Sequence, residues 1–264
     1  MDLTGRQEAI LSTIIREYTQ TAEPVGSKLL ENRGNLGVSS ATIRADMHDL
    51  EDLGYLTHPH TSSGRVPTHK AFRYFVDNII QNTPRIDINE AELIQEELEK
   101  NFNNPSDINK ALAKVLSGLS GNMIMTGIIG KNEFHKTGIS ALMSLPEFRE
   151  IDRIFNITSF FDEFDEIFEK MAGEIFGSEN IIPTIRVGTG DIGKDIKILI
   201  GKENPLEEMS GETVIISRYL LPQNYIGSLT LVGPMRMDYE RNLGLVKFAT
   251  KYLNLTANRP LLLE

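Results

Sequence analysis

From Thr4 to Thr19 the apolar residues Ile10, Leu11, Ile14, Ile15 and Tyr18 recur at helical spacing, and Thr4 followed by Gln7 has the form of a capping box. That pattern predicts a first helix. Pro24 and Gly26 then punctuate the chain before Ser27 to Glu31, where Leu29 and Leu30 allow two turns of helix that Gly34 and Gly37 end. Ser39 and Ser40 are good N-cap residues for a third helix, whose Ile43, Met47, Leu50 and Leu53 form one apolar stripe and which Gly54 stops. Opposite that stripe lie Ser40, Ala41, Arg44, Ala45 and His48, a small and polar face with little reason to be buried. Such a face is free to meet a partner.

After Tyr55 and Leu56, the stretch THPHTSSGRVPT holds a turn at Ser62, Ser63 and Gly64 between two short extended arms, with prolines suited to edge strands. Thr68 caps a fourth helix through Asn82, with Phe72, Phe75, Val76, Ile79 and Ile80 on its buried side. Three helices, a hairpin and a closing helix make a winged helix-turn-helix. That geometry lays the third helix in the major groove of DNA with its N-terminal side chains at base edges.

NTPRID, Asn82 to Asp87, reads as a linker, which divides the chain into a DNA-binding domain over 1–82 and a second domain over 83–264. In the second part, helices are expected over Asn89 to Phe102 and Asp107 to Leu119. Strands are expected over Met123 to Ile129 and Arg149 to Phe155, then an aromatic-rich helix over Phe160 to Met171. Strands over Ile185 to Val187, Asp195 to Ile200, Glu212 to Tyr219 and Ser228 to Val232 and a final helix over Asp238 to Leu253 complete an α+β regulatory domain.

Composition narrows the function. The absence of cysteine excludes a disulfide framework, a cysteine-ligated zinc finger and a thiol nucleophile. Neither a secretory signal nor an apolar run approaching the ~20 residues of a membrane span is visible, so a cytoplasmic protein is expected. The net charge of −10 argues against a nucleic-acid partner only on average, because Met1 to Asn82 holds 8 basic and 10 acidic residues and most of the acidity lies beyond. Within the first part, Thr57 to Val76 carries Arg65, Lys70, Arg73, His58, His60 and His69 with no acid.

Arg44 is the prime candidate for DNA, since arginine pairs bidentately with guanine O6 and N7; the plain alternative is solvation or an ion pair with Asp46 or Glu51. Ser39, Ser40 and Thr42 are hydroxyls at the helix start, suited to phosphate and equally to capping. Ala45 and His48 share the face, and Arg65 and Lys70 on or beside the wing suit backbone phosphate or the minor groove, or else an ordinary charged surface. Other signals read as structure. His58, His60 and His69 lack a paired carboxylate at helical spacing, so no metal is expected. GTGDIG, with Gly188, Gly190 and Gly193, precedes a strand pattern rather than the helix that a dinucleotide site needs, and reads as a hairpin turn. Asp162, Glu163, Asp165, Glu166 and Glu169 form a solvated face opposite Phe161, Phe164 and Phe168. Arg236 in GPMRMDY suits an anionic effector or, more simply, a structural ion pair. No triad or carboxylate pair points to catalysis, and no cofactor is implied.

RQEAILSTIIREY, EPVGSK, VSSATIR, LEDLGYL, HTSSGRVPTHKAFRYFVD, LPEFRE, IGKEN and GPMRMDY occur in this order along most of the chain. Together they resemble the HrcA family of bacterial heat-inducible transcription repressors. The resemblance implies a dimeric, non-enzymatic repressor of chaperone operons that binds an inverted repeat, CIRCE, with its activity modulated by the chaperonin GroEL. It also implies a winged helix followed by a GAF-like domain with an inserted dimerising segment. Two departures stand out. Between Thr126 and His135 the chain lacks dozens of residues that family members carry, so a trimmed GAF-like domain is implied, its inserted segment reduced around 127–180. The position after Arg44 is commonly asparagine, a reader of adenine, and is Ala45 here, which is expected to alter or relax operator preference. The rival readings are a repressor gated by a small ligand, with Arg236 as anchor, and a chaperonin-binding protein with little specific DNA binding.

Overall fold

The computed structural model describes residues 3–34, 36–59, 64–79, 86–102, 104–176 and 196–257, excluding the side chains of 79 and 165–176. The chain divides into two compact units, one of Met1–Thr83 with Met235–Glu240, the other of Pro84–Pro234 with Arg241–Glu264.

In the first unit, α1 (Gly5–Thr21) starts in a true capping box: the Gln7 amide donates to the Thr4 hydroxyl at 3.3 Å and the Thr4 amide to Gln7 Oε1 at 3.0 Å. Its Ile10, Leu11, Ile14 and Ile15 are fully buried, and the helix packs on α2 (Ser27–Arg33) and α3 (Ser40–Asp52), which bury Leu30, Ile43 and Leu50. The wing strands β1 (Leu56–Thr57) and β2 (Val66–Pro67) pair antiparallel, Leu56 opposite Pro67. The expected fourth helix is α4 (His69–Tyr74), capped by Thr68 and continued by one π-helical stretch, Phe75–Ile79. The short return segment belongs here too, which the boundary between 82 and 83 did not anticipate. Tyr239 packs its ring against Phe72 at 5.9 Å, and the Arg16 guanidinium donates to both Glu240 oxygens at 2.8 and 3.2 Å.

The second unit is an α+β fold. Helices α5 (Ile88–Glu99) and α6 (Pro105–Ser120) lead into an antiparallel sheet of β3 (Met123–Ile128), β4 (Phe134–Thr137), β5 (Ile196–Ile200), β6 (Glu212–Leu221) and β7 (Tyr225–Pro234) in the order β4-β3-β7-β6-β5. Every residue of β3 is buried, as a strand covered on both faces requires. On one face Met123, Met125, Val214, Ile216 and Val232 meet Leu142 of α7 (Ile139–Met143) and Ile157, Phe160 and Phe164 of α8 (Ile151–Phe176). On the other, the Tyr219 hydroxyl donates to Asn109 of α6, and the Leu220 amide donates to Asn254 of α9 (Tyr239–Thr256) at 2.7 Å. Gly227 faces Tyr219 across β6 and β7, where an added Cβ would come within 2.3 Å of the ring.

Three expectations change. Arg149 to Phe155 is not a strand: Pro146–Arg149 is a 3-10 turn and Ile151 opens α8, nine residues ahead of the expected aromatic helix. Ile157, Phe160 and Phe164 repeat at helical spacing, and a short apolar run does not by itself separate strand from helix. Neither β4 nor α7 was anticipated, β4 being half-buried at all four positions and so showing no alternation to read. The strand expected at Ser228 to Val232 extends over Tyr225–Pro234. The wing-tip residues His60, Ser62 and Ser63, most of NTPRID, the strand Ile185 to Val187, the glycines of GTGDIG and the side chains of Asp165, Glu166, Phe168 and Glu169 lie outside the described residues.

Candidate nucleic-acid interface

The start of α3 is built from the hydroxyls that the sequence singled out. Ser39 Oγ accepts from the Thr42 amide at 3.4 Å, the Ser40 hydroxyl donates to Ser27 Oγ at 2.9 Å, and the Ser40 amide donates to Glu31 Oε1 at 3.0 Å. Ser39, Ser40 and Thr42 thus hold the N-terminus of the helix, and the Glu31 carboxylate from α2 meets its positive end.

The inner face buries Ile43, Met47 and Leu50, together with one charge. Asp46, only 4% exposed, takes both arms of the Arg6 fork, Nε at 2.7 Å and Nη2 at 3.0 Å, and this carboxylate holds the guanidinium pKa above its ordinary value. The outer face carries Ala41, Arg44, Ala45 and His48, all exposed. The two acids that the sequence offered to Arg44 are taken, Asp46 by Arg6 and Glu51 by Arg65 and His58, and among the described residues Arg44 has no ion-pair partner. His48 Nδ1 lies 3.1 Å from Asp52 Oδ2, both side chains in solvent.

The base of the wing is tied to the far end of the same helix. Glu51 spans both arms of the hairpin, Oε1 against His58 Nδ1 and Oε2 against Arg65 Nη2 at 2.7 Å. Arg65 also pairs its main chain in both directions with Val25, at 2.8 and 2.9 Å. The neighbouring Gly64 lies so close that a Cβ would meet the Val25 carbonyl at 2.6 Å, which is why this position is glycine. Lys70 donates to the Leu53 carbonyl at 2.8 Å and lies 4.4 Å from the centre of the Tyr55 ring. Arg65 and Lys70, expected from the sequence at phosphate or in the minor groove, therefore have partners within the fold.

Glu31, the Arg6 to Asp46 fork and the bonds from Glu51 to the wing escaped the sequence reading, which offered Asp46 and Glu51 to Arg44 instead. Asp46 left a trace, as an acid beside Met47 on the apolar side of the helix; the partners of Glu31, Glu51 and Val25 are remote in sequence and left none. Arg236 donates to the Thr19 carbonyl at 2.8 Å. Among the described residues no cluster of histidines and acids is arranged for a metal, and no helix is long and apolar enough to cross a membrane.

A winged helix-turn-helix whose third helix has an exposed outer face, followed by an α+β unit, is the architecture of a winged-helix transcription regulator. The chain belongs to the HrcA family: the family model described as the HrcA protein C-terminal domain matches residues 68–243. Similar relatives include the heat-inducible transcription repressors HrcA of Caldanaerobacter subterraneus subsp. tengcongensis, 27% identical with 96% of this chain and 97% of the relative covered, and of Clostridium tetani, 31% identical with 91% and 92% covered. The first alignment runs over 338 positions against 264 residues in this chain, so that relative carries segments this chain lacks. A crystal structure of a hypothetical protein shares the fold over 97% of this chain and 99% of its own, with a TM-score of 0.76 at 17% identity.

Proposed function

We propose that this protein is a sequence-specific, non-enzymatic DNA-binding repressor of heat-shock chaperone operons, acting in the cytoplasm as a homodimer on a CIRCE-type inverted repeat, with its activity modulated by the chaperonin GroEL. The observation that carries this reading is the outer face of α3, exposed along its length with an Arg44 that has no ion-pair partner among the described residues, in a chain whose relatives are named heat-inducible transcription repressors. Arg44, Ala45 and His48 face the major groove. Ser39, Ser40 and Thr42 hold the helix end at the backbone, and Arg65 and Lys70 serve the interface by fixing the wing beside it. Two protomers related by a two-fold axis set their recognition helices about 34 Å apart, or a multiple of that, matching an inverted repeat.

Beside α8 lies a cavity of about 260 Å³, lined by Arg153, Asn156, Ile157 and Glu212. The test is fluorescence anisotropy of the full chain on the inverted repeat upstream of its own chaperonin operon and on a scrambled duplex, at two salt concentrations, with and without GroEL. Preference for the repeat by about 10³-fold, strengthened by GroEL, supports the reading. Equal, salt-sensitive affinity for both duplexes overturns it.

A further inference from the structure

Most polar groups near the start of α3 are already engaged: the hydroxyls of Ser39 and Thr42 within the helix cap, the Ser40 hydroxyl on Ser27, Glu31 on the Ser40 amide, and His48 with Asp52. Three side chains on the outer face of its first two turns remain exposed and unengaged among the described residues: Ala41, Arg44 and Ala45. Ala41 and Ala45 are four residues apart, so they share one side of the helix, and Arg44 rises beside them. The N-terminal residues of a recognition helix are those that reach base edges.

An alanine methyl offers neither donor nor acceptor. Set against guanine, adenine or cytosine, it removes water from a polar base edge and returns no hydrogen bond, which costs free energy. The C5 methyl of thymine is the one methyl group that the major groove presents, and the guanine edge is the one that arginine pairs with bidentately. Resting on the DNA-binding reading above, we infer that α3 reads a guanine through Arg44 and adjacent thymine methyls through Ala41 and Ala45. Specificity at these positions comes from two apolar contacts around one charged one, rather than from a row of hydrogen bonds.

The full chain is used to select its preferred site from a pool of random duplexes, and anisotropy is then measured on that site with single base analogues. Replacing a contacted thymine by deoxyuridine, which lacks only the methyl, is expected to weaken binding about fourfold. Replacing the contacted guanine by 7-deazaguanine weakens the wild-type chain and leaves Arg44→Ala unaffected. Ala45→Asn moves the preference at its position from thymine to adenine. An enriched site without thymine beside the guanine, or with thymines that tolerate deoxyuridine, overturns this inference and leaves specific DNA binding standing. A pool that yields no enriched site overturns the DNA-binding reading itself.

Discussion

Arg44 and Arg65 lie in the same small unit with opposite surroundings. Arg44 projects from the outer face of α3 with no partner among the described residues, while Arg65 is 21% exposed, paired through its side chain with Glu51 and through its main chain with Val25. A free cation on a convex helix keeps its hydrogen-bonding capacity for something outside the fold. A cation whose carboxylate partner comes from the recognition helix spends that capacity on geometry, fixing the wing at a set distance from α3. Two arginines of equal formal charge thus divide the work of an interface, one meeting the partner and the other holding the surface that meets it.

Four substitutions break or sharpen that contrast. Arg44→Ala is expected to have the largest effect, a loss of about 1 to 3 kcal/mol on the preferred duplex in an anisotropy titration, with no change in Tm. Glu51→Ala frees Arg65 and His58 together and is expected to cost about 1 kcal/mol of unit stability, discounted for the partial exposure of the pair. It should weaken the preferred and scrambled duplexes by similar factors, which urea unfolding and anisotropy together will show. Lys70→Ala removes the bond to Leu53 and the contact with Tyr55, and should lower stability by about 0.5 to 1 kcal/mol.

The smallest effect at neutral pH is expected in the second unit, where Arg153 donates to Glu212 and to the Gly211 carbonyl. Burial pushes the Glu212 carboxyl above its ordinary value, and Arg153 offsets that only in part. A carboxyl raised in the folded state contributes stability that is full below its ordinary pKa and is lost as the pH rises through the raised one. Glu212→Gln removes that dependence, so the wild-type chain should gain stability relative to the variant as the pH falls through the raised value toward the ordinary carboxyl range, read as urea midpoints.

The winged helix was largely legible because each of its elements carries its own signal. Thr4 and Gln7 open α1, Ser39 opens α3 and Thr68 opens α4, each through a bond spanning only a few residues. The sheet unit was less so. Ile151 to Phe155 has the apolar density of a buried strand, and only its packing through Ile157, Phe160 and Phe164 makes it the first turns of a helix. The half-buried edge strand β4 shows no period in the sequence at all. At the interface, the exposed face of α3 followed from the apolar stripe on its other side. The division between Arg44 and Arg65 did not, because it depends on Glu51 and Val25, which only the fold brings to Arg65.

Arg44→Ala and Arg65→Ala, compared for duplex preference and for thermal unfolding in the same buffer, test this division most directly. Loss of preference at unchanged Tm in Arg44→Ala, with a lowered Tm and evenly weakened binding in Arg65→Ala, is the expected result. A lowered Tm in Arg44→Ala, or a selective loss of the preferred duplex at unchanged Tm in Arg65→Ala, would contradict it.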